Sequence, residues 1–325
     1  MKTIKEFLRY YNSRVHEGLL PKSNDLETDI ISKHITVNSS GSIKTEKTKI
    51  IIDTKEVLTA QNHNVHVKLE NLKEGALRKI LKNLIIKNRN NILFNNCELT
   101  DNMIADLNKI KNIQDIIIYN CSSLKSVSGM NNDGWVEIYN CSSLKSLSDM
   151  KNKGGVMIEG CSSLKSVSDM KNKGPVTIED CRSLESVSDM NNDGWVEIYN
   201  CRSLKSISDM NNEGGAAIEG CSSLKSISDM NNDGVVRIKG CSSLKSVYNM
   251  SNNGGVKIED CSSLESVCDM NNKGGVEIYD CNSLKSVSDM NNDGYVEIYN
   301  CSSLESVSGV DEKKLKINNC PNYKK

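Results

Sequence analysis

Thirteen cysteines are the residues of this 325-residue chain with the most evident chemistry, because thiols can form disulfides or bind metal ions. Ten of them recur every twenty residues between Cys121 and Cys301, without an insertion. Side chains in such a column point the same way, whereas metal ligands must converge on one point. The spacing therefore predicts buried, free thiols that pack as small apolar groups. Cys268 lies outside the column, and we expect it to be exposed.

Two further patterns have the residue types of a cation site. Residues 189–194 read D-x-N-x-D-G, the first half of a calcium-binding loop, and the pattern recurs from Asp229 and Asp289. The twelfth position of such a loop should be a bidentate Glu, but it is Asn200 in the first copy. His63 and His66 have the spacing of a ligand pair, without a Cys or carboxylate cluster beside them. We therefore expect no metal and no cofactor.

The sequence contains no catalytic constellation. It has neither a nucleophile elbow nor a phosphate-binding loop, and no His follows residue 66. Carboxylates that could act in pairs stand at repeating positions, which we expect to be solvated. We therefore predict that the protein has no catalytic residues and is not an enzyme.

The elements that must position these side chains come from the repeat itself, which covers residues 121–310. Val136 and Ile138 alternate with polar or aromatic neighbours, a pattern typical of a short strand. Apolar residues then follow at every third position, as expected where a chain turns around a narrow core. A fixed short period indicates one unit stacked on itself, which buries its apolar side only against its neighbours.

Two further columns accompany the apolar ones. Asn stands at the same position in every copy from Asn132 to Asn292, where we expect its side chain to hydrogen-bond the backbone at a corner. Gly follows two residues later, as at Gly134, and predicts a turn that leads into the strand.

The spacing V-x-I-x-x-C-x-x-L-x-x-V resembles the leucine-rich repeat in its cysteine-containing variety. The run C-S-S-L-K-S-V also resembles the repeats of bacterial and protist surface leucine-rich proteins. The likeness covers residues 121–310 and implies a leucine-rich-repeat-like parallel β-solenoid. Twenty residues per copy is short for this family, so we expect extended or turn-like segments, rather than helices, on the back of each coil.

The rest of the chain is predicted to cap this solenoid, with a small α/β cap at the N-terminal end. Residues 1–48 form its helical or irregular start, including an amphipathic helix, and residues 49–120 form irregular leucine-rich-repeat-like units with helices. Residues 311–325 form a C-terminal capping strand and tail. Within 49–120 the apolar pattern predicts helices over 75–84 and 103–110, and strands over 50–52, 65–69 and 92–94.

Charge and hydropathy limit the classes of partner. The repeat region carries 17 Lys and Arg against 26 Asp and Glu, while the two flanking segments are mildly basic. These basic residues are too dispersed for a nucleic-acid-binding surface, which needs them clustered on one face. The sequence shows neither a signal-peptide pattern nor an apolar run long enough for a membrane span. We therefore expect a monomeric cytoplasmic protein, and leave association with a virion or a cell surface open.

The copies differ most on the outward side of their strands, where aromatic side chains stand among charged ones. Exposed Trp and Tyr are typical anchors of protein contacts. We therefore predict a protein-interaction module whose protein partner binds along this side. Drift on an unconstrained surface is the alternative, as expected for a structural or adhesive rod of a cell surface or virion. The candidate binding residues are Trp135, Glu137, Tyr139, Trp195, Glu197, Tyr199, Arg237, Lys239, Tyr279, Tyr295 and Tyr299.

Overall fold

The computed structural model describes residues 35–37, 41–46, 49–54, 66–86 and 90–324. The amphipathic helix predicted near the N-terminus and His63 of the predicted histidine pair lie outside these ranges. In the repeat region, each twenty-residue copy forms one coil with a strand on either side of a narrow core. The predicted parallel β-solenoid is therefore confirmed.

One side of the solenoid is a fourteen-stranded sheet, which we call the face sheet. Its first two strands are antiparallel and all later neighbours are parallel, with equivalent residues of successive copies paired, as Val156 is with Val136 and Val176. In spatial order its strands are Ile35–Val37, His66–Glu70, Asn90–Asn95, Ile113–Tyr119, Val136–Tyr139, Val156–Glu159, Val176–Glu179, Val196–Tyr199, Ala216–Glu219, Val236–Lys239, Val256–Glu259, Val276–Tyr279, Val296–Tyr299 and Leu315–Asn318.

The other side is a ten-stranded parallel sheet, which we call the back sheet. It confirms the prediction that the back of each short coil is extended rather than helical. Its strands are Ser126–Ser128, Ser146–Met150, Ser166–Met170, Ser186–Val187, Ser206–Ile207, Ser226–Met230, Ser246–Met250, Ser266–Met270, Ser286–Met290 and Ser306–Val307.

The segment before the regular coils contains the two predicted helices, at Glu74–Asn83 and Asp101–Leu107. The second begins two residues before the predicted range and ends three residues before the predicted end. A small third sheet joins Gly41–Glu46, Lys49–Thr54 and Leu84–Ile86. At the other end, a single 3₁₀ turn over Glu312–Lys314 leads into the last strand of the face sheet. The domain boundaries proposed from the sequence remain predictions.

The core consists of apolar columns that run the length of the solenoid. In the coil that contains Val136, every inward-facing apolar side chain is fully buried, with 0% exposure at Val136, Ile138, Cys141, Leu144, Leu147 and Met150. Burying one such aliphatic side chain contributes about 1.5–3 kcal/mol relative to leaving it in water. Because each side chain packs on the same residue type in the coils above and below, stability builds up from neighbour to neighbour.

Asparagines form a second column beside the apolar ones, which we call the asparagine ladder (Asn152 to Asn292). All of them are buried except Asn292, which is half-buried. The backbone N–H of Asn192 donates to Oδ1 of Asn212 at 3.1 Å, and Nδ2 of Asn192 donates to the same oxygen at 3.1 Å. The pattern repeats at Asn232, whose Oδ1 accepts from Nδ2 of Asn212 at 2.8 Å. As predicted, these amides satisfy backbone groups at a corner where no sheet partner exists.

Each coil turns through two corners in the left-handed backbone conformation. One corner residue precedes the cysteine, as Asn140 does with φ of 53°, and the other precedes the methionine, as Asp149 does with φ of 50°. Among L-residues, Asn and Asp adopt this conformation most readily, and Gly adopts it without a steric penalty. Throughout the repeats these two positions hold only Asn, Asp or Gly, so both corners are encoded in the sequence.

The glycine column that begins at Gly134 lies in the predicted bend before the strand, but this bend is not the reason that glycine is required. These glycines are not among the residues with positive φ, so no left-handed turn requires them. Instead, the backbones of neighbouring coils approach closely at this column. A Cβ atom at Gly214 would lie 2.5 Å from the carbonyl carbon of Gly194 and 2.6 Å from the backbone nitrogen of Trp195. Glycine is therefore needed because no side-chain atom fits between the coils.

The cysteine column is buried and free of disulfides, as predicted, from Cys97 to Cys301, while Cys320 at the end is partly exposed. Burial raises the pKa of the Cys201 thiol to about 12, and the neighbouring Cys221 adds to the shift. Cys268, predicted to be exposed, is only partly so, and its pKa rises to about 11 through burial and the adjacent Asp269. The Cys201 thiol is thus protonated near neutral pH, and its burial shields it from reagents.

We expect the substitution Cys221→Ser to lower the free energy of unfolding by about 1–3 kcal/mol, because a hydroxyl would replace a weakly polar thiol in the core. Cys268→Ser is the matched control and should change it by less than about 0.5 kcal/mol, since most copies carry Ser there. Urea unfolding measures both values. Equal effects of the two substitutions, or disulfides within the column detected by mass spectrometry, would contradict the prediction.

Candidate functional site

The outward side chains of the face sheet form three columns, which we call the strand face. The columns begin at Trp135, Glu137 and Tyr139 and continue at the equivalent residues of each later coil. Alternate residues of an extended chain project from the same side, so the three columns share the outer surface. Val136 and Ile138, which alternate with them, face the core. All eleven predicted site residues belong to these three columns.

Aromatic rings of the first column lie over glycines of a neighbouring coil. A Cβ atom at Gly215 would lie 2.9 Å from Cη2 of Trp195, and one at Gly275 would lie 2.7 Å from Cζ of Tyr295. The ring of Trp135 covers Gly155 in the same way. Trp195 and Tyr295 nevertheless keep 40% and 47% of their surface exposed. Because glycine has no side chain, each ring lies against the backbone of the neighbouring coil and exposes its other surface to the solvent.

The cluster at the N-terminal end of the strand face is less accessible than predicted. Tyr139 is only 7% exposed: its hydroxyl donates to Oε2 of Glu137 at 2.9 Å and lies 3.2 Å from Sδ of Met157. The ring also packs on Tyr119, with ring centroids 6.3 Å apart. Burial raises the pKa of the Glu137 carboxyl, although the bond from Tyr139 opposes that shift. The prediction that Tyr139 is an exposed anchor outside the core is therefore wrong, because neighbouring coils cover it.

The same covering affects the second column, which was expected to be exposed throughout. Met157, Thr177 and Ala217 are buried, with exposures of 3%, 3% and 6%. Each is smaller or less polar than the Glu that stands at this position in other coils, and aromatic or acidic side chains of adjacent coils lie beside it. Exposed and buried side chains are therefore mixed along the strand face, which is not uniformly accessible.

The middle cluster joins Trp195, Glu197 and Tyr199 and is rich in carboxylates. Burial raises the pKa of the Tyr199 hydroxyl to about 12, with further contributions from Glu197, Glu219 and Glu179. Oγ1 of Thr177 donates to Oε2 of Glu197 at 3.3 Å. The rings and carboxylates of this cluster could contact both the apolar part and the charged end of a Lys or Arg side chain.

The C-terminal cluster contains the three predicted tyrosines Tyr279, Tyr295 and Tyr299. The rings of Tyr279 and Tyr299 are stacked, with centroids 5.2 Å apart and planes at 11°. Nζ of Lys257 lies 5.1 Å from the centroid of Tyr279, and Nζ of Lys316 lies 5.1 Å from that of Tyr299. The hydroxyl of Tyr295 donates to Oε1 of Glu277 at 2.7 Å. These rings therefore accept cations within the protein itself.

A band of three cations, which we call the basic band, separates the middle and C-terminal clusters. It consists of Arg237, Lys239 and Lys257, which together with Glu219 and Glu259 line a shallow depression of about 320 Å³. Lys239 and Lys257 both pair with Glu259, at 3.2 Å and 3.4 Å. Arg237 is exposed and, among the described residues, has no ion-pair partner.

The structure thus brings the predicted residues together in three clusters and one band, rather than in one continuous site. Sequence reasoning missed Lys257, Lys316 and Tyr119 as members of these clusters. Lys257 could have been found, because it occupies the same column as Arg237 one copy later. Tyr119 could have been found in the same way, because it precedes Tyr139 by one repeat length and pairs with it in the face sheet. Lys316 lies outside the exact period, and only the pairing of the last two strands of the face sheet places it beside Glu297.

Other kinds of site are not apparent in the described part of the chain. No group of three or more His, Cys, Asp or Glu side chains there is arranged to hold a metal ion. Nor does any helix among those residues have the length and apolar character needed to cross a membrane.

Comparison with known proteins finds similar solved structures only. No protein-family model and no curated protein matches the sequence. A plant peptide hormone receptor, RGFR1, in complex with RGF2, is 16% identical with a TM-score of 0.36, over 78% of this chain and 47% of the receptor chain. A leucine-rich repeat protein from Bacteroides ovatus ATCC 8483 is 15% identical with a TM-score of 0.34, over 91% of this chain and 93% of that one.

Proposed function

We propose that the protein is a non-enzymatic interaction module that binds a protein partner along the strand face. The observation that supports this most directly is the exposure of Trp195 and Tyr295 on a rigid sheet, with carboxylates beside them. Large aromatic side chains lose little conformational entropy on binding and are the commonest anchors of protein interfaces. The face sheet holds them in place, because every strand is hydrogen-bonded on both sides except at the ends.

The distribution of sequence variation supports the same function. Across the copies, inward-facing columns change only between aliphatic residues, whereas the strand face changes from Trp to Gly, Pro, Val and Tyr in its first column. A closely packed core requires inward-facing side chains of similar size and polarity in every coil. A surface that binds an asymmetric partner requires outward side chains that differ between coils, because identical coils would offer the partner no defined position.

The substitutions Trp195→Ala and Tyr295→Ala should each weaken binding of the partner by about 2 kcal/mol or more, roughly thirtyfold, if these residues anchor it. Their effect on the free energy of unfolding should be below about 1 kcal/mol, because both side chains lie outside the core and keep 40% and 47% of their surface exposed. Ser208→Ala, on the back sheet side of the coil, is the control and should change neither quantity. Partners captured by the parent protein are compared with those captured by each variant, and affinities are measured by calorimetry.

Tyr139→Ala should instead reduce the stability of the protein, because Tyr139 is buried. If a partner binds the parent protein, Trp195→Ala and Tyr295→Ala with equal affinity, the strand face is not the binding site. The structural or adhesive rod would then be the better interpretation, since the unbroken core columns suit a role in which length matters.

A further inference from the structure

We infer that the partner presents an acidic group to the basic band and basic groups to the two acidic clusters on either side of it. This inference rests on the proposed function and specifies the charge pattern of the partner. It is carried by the order of charges along the second column of the strand face, which reads Glu197, Ala217, Arg237, Lys257 and Glu277.

The two acidic clusters, which are the middle cluster and the C-terminal cluster with their neighbouring carboxylates, have negative charge available for a partner. Glu179, Glu197 and Glu219 surround Tyr199, and none of them forms an ion pair with a Lys or Arg among the described residues. On the other side of the band, Glu277 accepts a hydrogen bond from Tyr295 and likewise has no cationic partner in that part of the chain. Approaching Lys or Arg side chains would therefore meet carboxylates that no internal cation neutralises.

The aromatic rings beside these carboxylates favour the same ligand chemistry. Tyr279 and Tyr299 already have Lys Nζ atoms 5.1 Å from their centroids, which is the geometry of a cation–π contact. Among the described residues, no cation lies over Trp195 or Tyr199, although Glu197 stands between them on the strand. The middle cluster therefore has the same combination of ring and carboxylate with the cation position open.

The basic band has the opposite character because of Arg237. Lys239 and Lys257 share Glu259, whereas the guanidinium of Arg237 is exposed and without a partner in the described residues. A guanidinium binds a carboxylate through two parallel hydrogen bonds, which gives the contact direction as well as strength. An acidic side chain of the partner therefore fits over Arg237, at the depression that the band borders.

Strand spacing converts this charge order into a peptide pattern. Glu197 and Glu277 are each two strands from Arg237, which corresponds to roughly 10 Å at about 4.8 Å per strand. An extended peptide that crosses the strands advances about 3.3 Å per residue, so roughly three residues span each of these distances. The matching segment has an acidic residue with a basic residue about three positions before it and another about three positions after it.

A library of random twelve-residue peptides displayed on phage, selected on the immobilised full-length protein, tests the inference. The test variant reverses the basic band with Arg237→Glu, Lys239→Glu and Lys257→Glu. The matched control carries Lys125→Glu, Lys145→Glu and Lys225→Glu, three exposed lysines of another column without ion pairs in the described residues. Both variants change the net charge equally, and circular dichroism checks that both are folded.

The parent and the control should enrich peptides with an acidic centre and basic residues about three positions to each side. The band variant should enrich peptides with a basic centre, and a synthetic peptide of the parent pattern should bind it at least tenfold more weakly. Peptides that bind the parent but not Trp195→Ala, and that carry no charge pattern, would overturn this inference and leave the proposed function standing. No enrichment, or peptides that bind parent and variants alike and do not need Trp195, would overturn both.

Discussion

Replacing Asn212 by Ala should lower the free energy of unfolding by about 3–5 kcal/mol. Oδ1 of Asn212 accepts hydrogen bonds from both the backbone N–H and Nδ2 of Asn192, at 3.1 Å each. The substitution leaves both donors buried without an acceptor, and each orphaned buried polar group costs about 1–3 kcal/mol. It also opens a small cavity, because Asn212 is only 2% exposed.

The neighbouring Asn211 provides a control with the same residue type. It is exposed, and its Oδ1 accepts only a surface hydrogen bond, from Nδ2 of Asn231 at 3.2 Å. Asn211→Ala should therefore change the free energy of unfolding by less than about 0.5 kcal/mol. Urea unfolding compares the two variants, and hydrogen exchange at the Asn192 amide should accelerate only in Asn212→Ala. Equal stability of the two variants would show that the asparagine ladder does not stabilise the solenoid.

Adding a single methyl group at Gly214 should destabilise the protein by about 3 kcal/mol. The Cβ atom of Gly214→Ala would lie 2.5 Å from the carbonyl carbon of Gly194, and backbone atoms cannot move aside as a flexible side chain can. The two coils must therefore separate locally, which strains the strand hydrogen bonds between them and opens gaps in the core columns. Overpacking in a closely packed interior typically costs 1–3 kcal/mol or more.

Gly240→Asn is the matched control, because it adds a larger side chain at a glycine with free space. Gly240 has φ of +63°, and the nearest atom to a Cβ there is the nitrogen of Gly220 at 3.9 Å. Other copies hold Asn at this left-handed corner, as at Asn200 and Asn300, so the change should be within about 0.5 kcal/mol. Thermal or urea unfolding measures both variants. A tolerated Gly214→Ala would mean that the coils are not held at their observed spacing.

The sequence specifies most of the fold, because the repeat has a constant length and each column needs only one residue type. Val136, Cys141 and Leu144 reveal the inward positions by their spacing alone, and the solenoid follows from stacking. The role of Gly134 could not be derived in this way. A turn and a close approach of two backbones both require glycine, and only the distance between coils distinguishes them.

The candidate site was less predictable, since alternation along a strand tells which side a residue faces but not what covers it. Tyr139 belongs to an outward column, yet Tyr119 and Met157 in adjacent coils bury it. Similarly, the column order shows that Arg237 and Lys257 are neighbours. Only the structure shows that Lys257 forms an ion pair with Glu259, whereas Arg237 has no ion-pair partner among the described residues. Contacts between coils of different sequence therefore decide accessibility.

The asparagine ladder also gives the solenoid an electric dipole along its axis. From Asn172 onward, each Nδ2 donates to the Oδ1 of the following coil, so the amide dipoles are aligned head to tail as far as Asn292. Aligned dipoles add along a hydrogen-bonded chain, as peptide dipoles do along a helix, and polarise one another. The Asn292 end is consequently the positive pole and the Asn172 end the negative pole. Coils that are almost identical in sequence therefore stand at different potentials, according to their place in the stack.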